Sequence, residues 1–341
     1  IGSENFHLPM IVNSFFFNPL TERDGIWLKN STNDEVLENR DLLENSVELY
    51  AALIDEVAEK DFHDLYNLAT TKIPATEEKF FDRSWYAESI QDPLREFLKE
   101  AKIVETNNGK ASIDEVYFPD TDLMKEDREK IWQFSSDLKV NKLPIKEHIQ
   151  KWSSVIWRNC SKVDIKGLVS DLSGKENIET LIETLGVERS QVFSWLNECL
   201  KFIYEQETMS FNDFEIIPNQ KGNLKACGKL YLDEIENEKL KEIALIVGYD
   251  SYEELVHKNV FLEHLTNNKN IHDIAFEITR LISDENDSEE RKQAITMLIQ
   301  WFEHNEDKGK ELFAELYRKK EKLLVDTIED KDSLFTILNG D

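Results

Sequence analysis

The sequence predicts an α+β chain that is mainly α: an N-terminal β-ribbon, two helical blocks each closed by a β-hairpin (a winged-helix-like order), then a C-terminal helical block. Three observations predict it. Gly 11 and Pro 7 among 341 residues are about 5%, against a usual ~12%, so there is little punctuation and helices run long. Apolar residues recur mostly at three- and four-residue steps, the helical period. Asn108-Gly109 stands between β-capable runs, a hairpin signal because both residues tolerate positive φ, and Lys221-Gly222 repeats the pattern.

Taken in order, Leu8 to Phe17 is rich in β-branched and aromatic residues, Asn18-Pro19 turns the chain, and Asp24-Gly25-Ile26-Trp27-Leu28 returns it. The expectation is a two-stranded ribbon, which is marginal alone and is read as completing an upstream domain. From Asn33 the period becomes helical through Val36, Leu37, Leu42, Leu43, Val47, Tyr50, Leu53, Ile54 and Val57, with Asn33 or Asp34 as cap. A second helix is expected over 62–68 and a third over 77–99, broken or kinked near Asp92 by Pro93. The first hairpin lies within Ile103 to Ile113 around Asn108-Gly109, with Val116-Tyr117-Phe118 read as its returning strand. Helical pattern covers 125–206, followed by a second hairpin from Phe214 to Lys225 that ends in Leu230-Tyr231-Leu232-Asp233. Setting Gly109 on Gly222 aligns Val104-Glu105-Thr106 with Ile217-Pro218-Asn219. With one insertion, Val116-Tyr117-Phe118 falls on Leu230-Tyr231-Leu232, which points to an internal duplication. Helices are then expected over 240–247, 252–257, 271–282, 289–303 and 308–338. The domain expectation is 1–31, 32–123, 124–233 and 234–341. The chain opens Ile1-Gly2-Ser3 without Met; read as a cloning remnant, this makes the remainder a piece of a longer protein.

Lys+Arg 41 against Asp+Glu 69, a net charge of −28, opposes nucleic acid and anionic membranes, because a phosphate backbone is gripped by displacing counterions with cations. No apolar run approaches the ~18 residues of a span, and no signal peptide is visible. Cys160, Cys199 and Cys227 form no CxxC pair, which suits a reducing cytoplasm.

The chain carries no GxxxxGK[ST], GxGxxG or DxGxG, so no known loop cradles a triphosphate. His257, His264 and His272 are spaced seven and eight apart without HExxH or a Cys/His cluster, and read as surface histidines rather than metal ligands. The cysteines lie in apolar surroundings and read as small hydrophobes. The sequence neighbours Glu253-Glu254 and Glu289-Glu290 point different ways on a helix. The basic run Arg318-Lys319-Lys320 reads as a solvated face. Trp152 and Trp157, five apart, cannot share a helix stripe, so one of them is expected at an interface. No catalytic, cofactor-binding or metal residue is assigned in this segment. Leu181 to Leu185, Gly186 and Val187 to Leu200 have a helix-turn-helix form with the hairpin at Lys221-Gly222 as wing; Arg189, Ser190, Gln191 and Asn197 would be its base-reading donors, opposed by Glu188 and Glu198.

Leu8-Pro9-Met10-Ile11-Val12-Asn13-Ser14-Phe15-Phe16 and Arg23-Asp24-Gly25-Ile26-Trp27 resemble the "(P)hhVNGxF … RRxxW" signature of sacsin repeats and of large bacterial proteins with a sacsin-type, HSP90-like ATPase lobe. Ser14 stands where that signature has Gly, and Asp24-Gly25 where it has basic residues. The two hairpins resemble the same family's "P(N/T)xxGxh … hhh" elements. The resemblance implies that ATP and Mg belong to a lobe upstream of Ile1. This piece would follow that lobe as a non-catalytic protein-binding or scaffold module of a chaperone-type ATPase, in bacteria in phage defence. It would act in the cytoplasm on a protein partner or client and on its own upstream lobe, with Arg23 a conceivable donor to the γ-phosphate. Two other classes stay open: a winged-helix nucleic-acid-binding protein, and a hydrolase, which would need a concave pocket of carboxylates with displaced pKa values.

Overall fold

The computed structural model describes residues 6, 8–21, 25–29, 32–73, 80–139, 142–206, 210–263, 265–283 and 288–327. They are mainly helical, with four two-stranded sheets among them. Contacts divide the chain into two units, Ile1–Leu168 and Val169–Asp341, a boundary that falls inside the block expected over 124–233.

In the first unit, helix α1 (Asp34–Glu59) starts where Asn33 Oδ1 accepts the Glu35 N–H at 2.9 Å. Its carbonyl end is closed by Lys110 Nζ, which donates to the Lys60 carbonyl at 2.6 Å. Val36, Leu43, Val47, Tyr50 and Ile54 are buried, and each such side chain contributes about 1.5–3 kcal/mol. The expected ribbon shrinks to a single bridge, Pro19 with Ile26, among the described residues. Side chains of α1 take the place of a ladder. Buried Asn39 accepts from the Asn18 N–H (2.7 Å) and donates to the Asn18 and Trp27 carbonyls (both 2.9 Å), while Arg40 donates to the Leu28 carbonyl and to Asp82. Phe6, Phe17, Ile26 and Leu28 thereby join the core that α1 covers.

The helix expected over 62–68 is a 3-10 turn, Leu65–Ala69. Near Asp92 the α-helical ladder is interrupted: α2 (Arg83–Tyr86) and α3 (Asp92–Glu100) are joined by a π turn, Ala87–Gln91, in which the Asp92 N–H reaches the Ala87 carbonyl. The wider turn absorbs the proline, which lacks an N–H and would clash with the carbonyl four residues back. Strands β1 (Val104–Thr106) and β2 (Gly109–Ala111) form the first hairpin. Gly109 takes φ +102° while Asn107 and Asn108 keep negative φ, so the turn asks positive φ of the glycine only. Val116-Tyr117-Phe118 is not its returning strand. A 3-10 turn, Ile113–Glu115, with Ser112 and Glu115 as a capping box, redirects the chain. Strand β3 (Phe118–Pro119) then pairs in parallel with β4 (Lys162–Val163), beyond α4 (Lys125–Leu138) and α5 (Ile149–Val155). Trp152 and Trp157 are both buried, because α5 ends at Val155 and Trp157 lies past it, under the Arg95 guanidinium. Helix α6 (Ile165–Ser173) crosses into the second unit.

In the second unit, α7 (Ile178–Leu185) ends on Gly186 at φ +67° and α8 (Arg189–Gln206) follows. After α9 (Ser210–Asp213) come β5 (Ile217–Pro218) and β6 (Leu224–Lys225), the second hairpin, then β7 (Leu232–Glu234), α10 (Glu238–Ile246) and β8 (Asn268–Asn270). Residues 252–257 are not helical: a 3-10 turn, Ser251–Glu253, gives way to backbone bridging from Leu255 and Val256. Helices α11 (Ile271–Ser283), α12 (Glu289–His304), α13 (Glu306–Leu312), α14 (Ala314–Arg318) and α15 (Lys320–Asp326) finish the described chain. Their core gathers Ile243, Ile278, Leu298, Phe302 and Phe313.

The two hairpin regions share their hydrogen bonds. Ile145 donates its N–H to the Glu105 carbonyl and His257 donates to Pro218. Tyr117 donates to Lys142 and Tyr231 to Glu254; Phe118 donates to Ser161 and Leu232 to Asn267. Both hairpins lead through a 3-10 turn (Ile113–Glu115, Cys227–Lys229) to a strand that pairs in parallel with one entering a helix. These partners follow the alignment of Gly109 on Gly222 with its one-residue insertion.

Candidate binding cleft of the second unit

A cleft of about 440 Å³ opens beside α8, lined from that helix by Asn197, Leu200, Lys201, Tyr204 and Glu205. Steps of three and four residues put these on one face. Opposite runs the loop of Phe261, Leu262, Glu263 and Leu265, with Cys227 and Asn212 closing the end. Leu200 and Leu265 are buried, while Phe261 is 74% exposed.

The loop is held in place. Asn197 uses both ends of its amide on it, donating Nδ2–H to the Asn259 carbonyl and accepting the Phe261 N–H, each at 2.9 Å. His257, where the loop begins, stacks on Phe193 of α8 with centroids 4.2 Å apart. Its Nδ1 accepts the Asn259 N–H, which leaves the ring proton on Nε2 when neutral. Burial, then the charges of Arg189 and Lys258, hold its pKa below the ordinary histidine value. Burial raises the Cys227 thiol, so it is a weak nucleophile at neutral pH. The lining offers apolar contact, an amide and carboxylates, a chemistry of binding.

A second cleft of about 490 Å³ contains Asp233, Glu234, Glu236 and Glu238 with Lys241, His257 and Lys258. Lys241 is fully buried and pairs with Asp233 and, at 3.3 Å, with Glu238. Burial pushes the Asp233 carboxyl up, but hydrogen bonds from Lys241 and Gln220 outweigh it and leave the group below its usual range. Lys258 likewise holds Glu238 low. Both are therefore ionised and spoken for, and neither is a proton donor for hydrolysis.

The segment read from sequence as helix-turn-helix has a backbone partner in the second hairpin. Asn177, just before α7, bridges Asn223; Ile178 donates to the Gly222 carbonyl at 2.8 Å and Leu224 to the Glu176 carbonyl at 2.7 Å. Two of the polar groups named from sequence, Arg189 and Gln191, are exposed and partnered locally. Arg189 pairs with Glu179 at 2.9 Å, Gln191 accepts the Glu188 N–H, and the Asn197 amide is committed to the loop. On the hairpin, Lys221 pairs with Asp250 and Glu253, and Lys225 lies 3.8 Å from Glu253.

Of the other residues named from sequence, His272 is exposed at the start of α11, and His264 and Arg23 lie outside the described residues. No group of three metal-ligating side chains occurs among the described residues. Cys160 and Cys199 are buried. Glu253 faces Asn219 and Lys221 while Glu254 meets Lys269 and Tyr249, so the two diverge, on a 3-10 turn and not on the helix expected. Glu289 pairs with Lys292. Lys319 lies 4.0 Å from Glu315 and Lys320 sits over the Tyr317 ring. Sequence reasoning passed over Phe261 and the role of Asn197 in holding the loop. A bulky aromatic next to Asn259 in a short loop was the available signal. No helix among the described residues is long and apolar enough to cross a membrane. Comparison with protein-family models, with curated proteins and with solved structures finds no match to this chain.

Proposed function

We propose that this chain is a non-catalytic protein-binding or scaffold module, the part that follows the ATP-binding lobe in a large HSP90/sacsin-like, chaperone-type ATPase of the cytoplasm, in bacteria one acting in phage defence. The observation that carries the binding role is the cleft beside α8, an apolar-floored recess with a large aromatic exposed at its rim and a loop fixed by Asn197. Exposed apolar surface around a preformed recess is how partner-binding sites look. The repeated hairpin framework supports a scaffold, since backbone bonds rather than reactive groups are what recur.

The winged-helix order is used as a protein scaffold on this reading. A nucleic-acid reader needs cations facing out, whereas Arg189, Lys221 and Lys225 are engaged by carboxylates. A triphosphate fits neither cleft, because Glu205 and Glu263 face one and four acids line the other; ATP and Mg belong to the upstream lobe. The test is peptide display against the immobilised chain, with enriched peptides remeasured by calorimetry, beside a duplex-DNA gel shift at about 50 and 200 mM salt. Saturable peptide binding with no DNA shift is expected. Salt-dependent DNA binding, or enzyme-like ATP turnover by this chain alone, overturns the reading.

A further inference from the structure

Resting on the protein-binding reading above, we infer that the cleft between α8 and the facing residues Phe261, Leu262, Glu263 and Leu265 takes a basic, apolar-anchored peptide segment of a partner protein. The floor is apolar: Leu200 and Leu265 are buried there, with Tyr204 and Leu262 beside them. A recess of about 440 Å³ lies at the lower end of the ~300–1,000 Å³ range of ligand sites, the size for one or two inserted side chains. Phe261, 74% exposed at the rim, is the type of aromatic that anchors an interface once a partner excludes water from it.

The rim sets the charge of the occupant. Glu205 and Glu263 have no ion-pair partner among the described residues, while so many acids elsewhere in the chain are paired. Lys201 is the single cation of the lining, which leaves the rim net negative. The whole chain adds a net charge of −28, which draws in a cationic segment and repels a second copy of itself. The Asn197 clamp holds the loop before anything binds, so little ordering cost falls on association.

Cys227 lies in the cleft, half-buried, whereas Cys160 and Cys199 are buried elsewhere, so alkylation of Cys227 reports occupancy. The experiment titrates the full chain with a fluorescein-labelled 14-residue peptide of Leu and Lys at helical spacing, its counterpart with Glu for Lys, and the dye ANS. Anisotropy gives affinity, and mass spectrometry gives the rate of Cys227 alkylation. Phe261→Ser and the pair Glu205→Lys, Glu263→Lys change exposed side chains, and circular dichroism checks that they fold.

The Leu/Lys peptide is expected to bind, to slow Cys227 alkylation, and to weaken roughly thirtyfold in Phe261→Ser, the size of a hot-spot truncation. The charge-reversed pair should lose at least about tenfold and show a flatter salt dependence. Binding that leaves Cys227 unprotected, or that both variants retain, removes the cleft as the site while the protein-binding reading stands. Equal binding of the Glu peptide, or entry of ANS alone, overturns the chemistry assigned to the occupant. No binding by any peptide, here or in the display selection, counts against both.

Discussion

Asn219 is the polar residue on which the second hairpin turns. Its side chain is fully buried, accepts the N–H groups of Lys221 and Asn223 at 3.0 Å each, and donates to the Glu253 carbonyl and carboxylate at 3.1 and 3.0 Å. Asn219→Ala removes all four bonds. A typical bond is worth about 1 kcal/mol net, more when its partner is charged. Lys221 is exposed and Asn223 half-buried, so water recovers part of the loss, and the expected cost is about 2–4 kcal/mol. Thr106, the aligned residue of the first hairpin, makes two bonds in exposed surroundings, to Gly109 and from Asn108. Its alanine variant should therefore cost only about 0.5–1 kcal/mol. At ~2–4 °C per kcal/mol for a unit of this size, Asn219→Ala should lower Tm by roughly 5–15 °C and Thr106→Ala by a few degrees at most. Hydrogen exchange should localise the first loss to Lys221, Asn223 and His257, whose N–H crosses to the hairpin at Pro218. If both variants shift Tm equally, or Asn219→Ala by less than about 2 °C, the turn bonds are not what holds the hairpin.

Other outcomes follow from local geometry. Gly309→Ala in α13 gains about 1 kcal/mol of helix propensity, but its Cβ would sit 2.8 Å from Phe302 Cδ1 and 3.2 Å from Tyr317 Cδ2. Phe302 is locked among Trp301, Phe313 and Tyr317, so overpacking of ~1–3 kcal/mol wins and urea unfolding should show a net loss of up to about 2 kcal/mol. Burial lowers the His257 pKa from 6.5, so the unfolded chain binds that proton more readily. Stability should fall as pH drops below about 6.5 and level off below the folded value, and His257→Gln should remove that part of the slope in pH-dependent urea melts. Burial pushes the Cys160 thiol up to about 11, which leaves about a thousandth of it as thiolate at pH 8. Iodoacetamide should therefore label Cys227 first and reach Cys160 and Cys199 only on denaturation, as peptide mapping would read.

What the sequence made legible is what local physics decides. Apolar period located α1, α8, α11 and α12, and Asn33 as a cap followed from a side chain that competes for its own backbone. The hairpins were legible because glycine alone is cheap at positive φ, and Gly109 and Gly222 stand there at +102° and +89°. The strands after each hairpin were misread. Val116-Tyr117-Phe118 has every local mark of a returning strand, yet its partner lies beyond two helices, at Lys162-Val163. Strand pairing at such separation leaves no trace in a short window, whereas the Ser112–Glu115 capping box that diverts the chain did and was overlooked.

The same division of labour explains the cleft. Its walls are helical stripe and loop, legible in part, but its shape depends on one amide, Asn197, reaching 62 residues ahead to Asn259. From composition alone that residue was as suited to reading a base as to pinning a loop, because an amide offers the same donor and acceptor to either. The structure separates the two uses by where the bonds go: both ends of Asn197 are spent inside the chain, and so are the cations of Arg189, Lys221 and Lys225. What stays uncommitted in the cleft lining is apolar surface, the carboxylates of Glu205 and Glu263, and the one cation Lys201. On the reading proposed above, two acids against one lysine beside an exposed phenylalanine suit a partner that brings positive charge and an apolar side chain together.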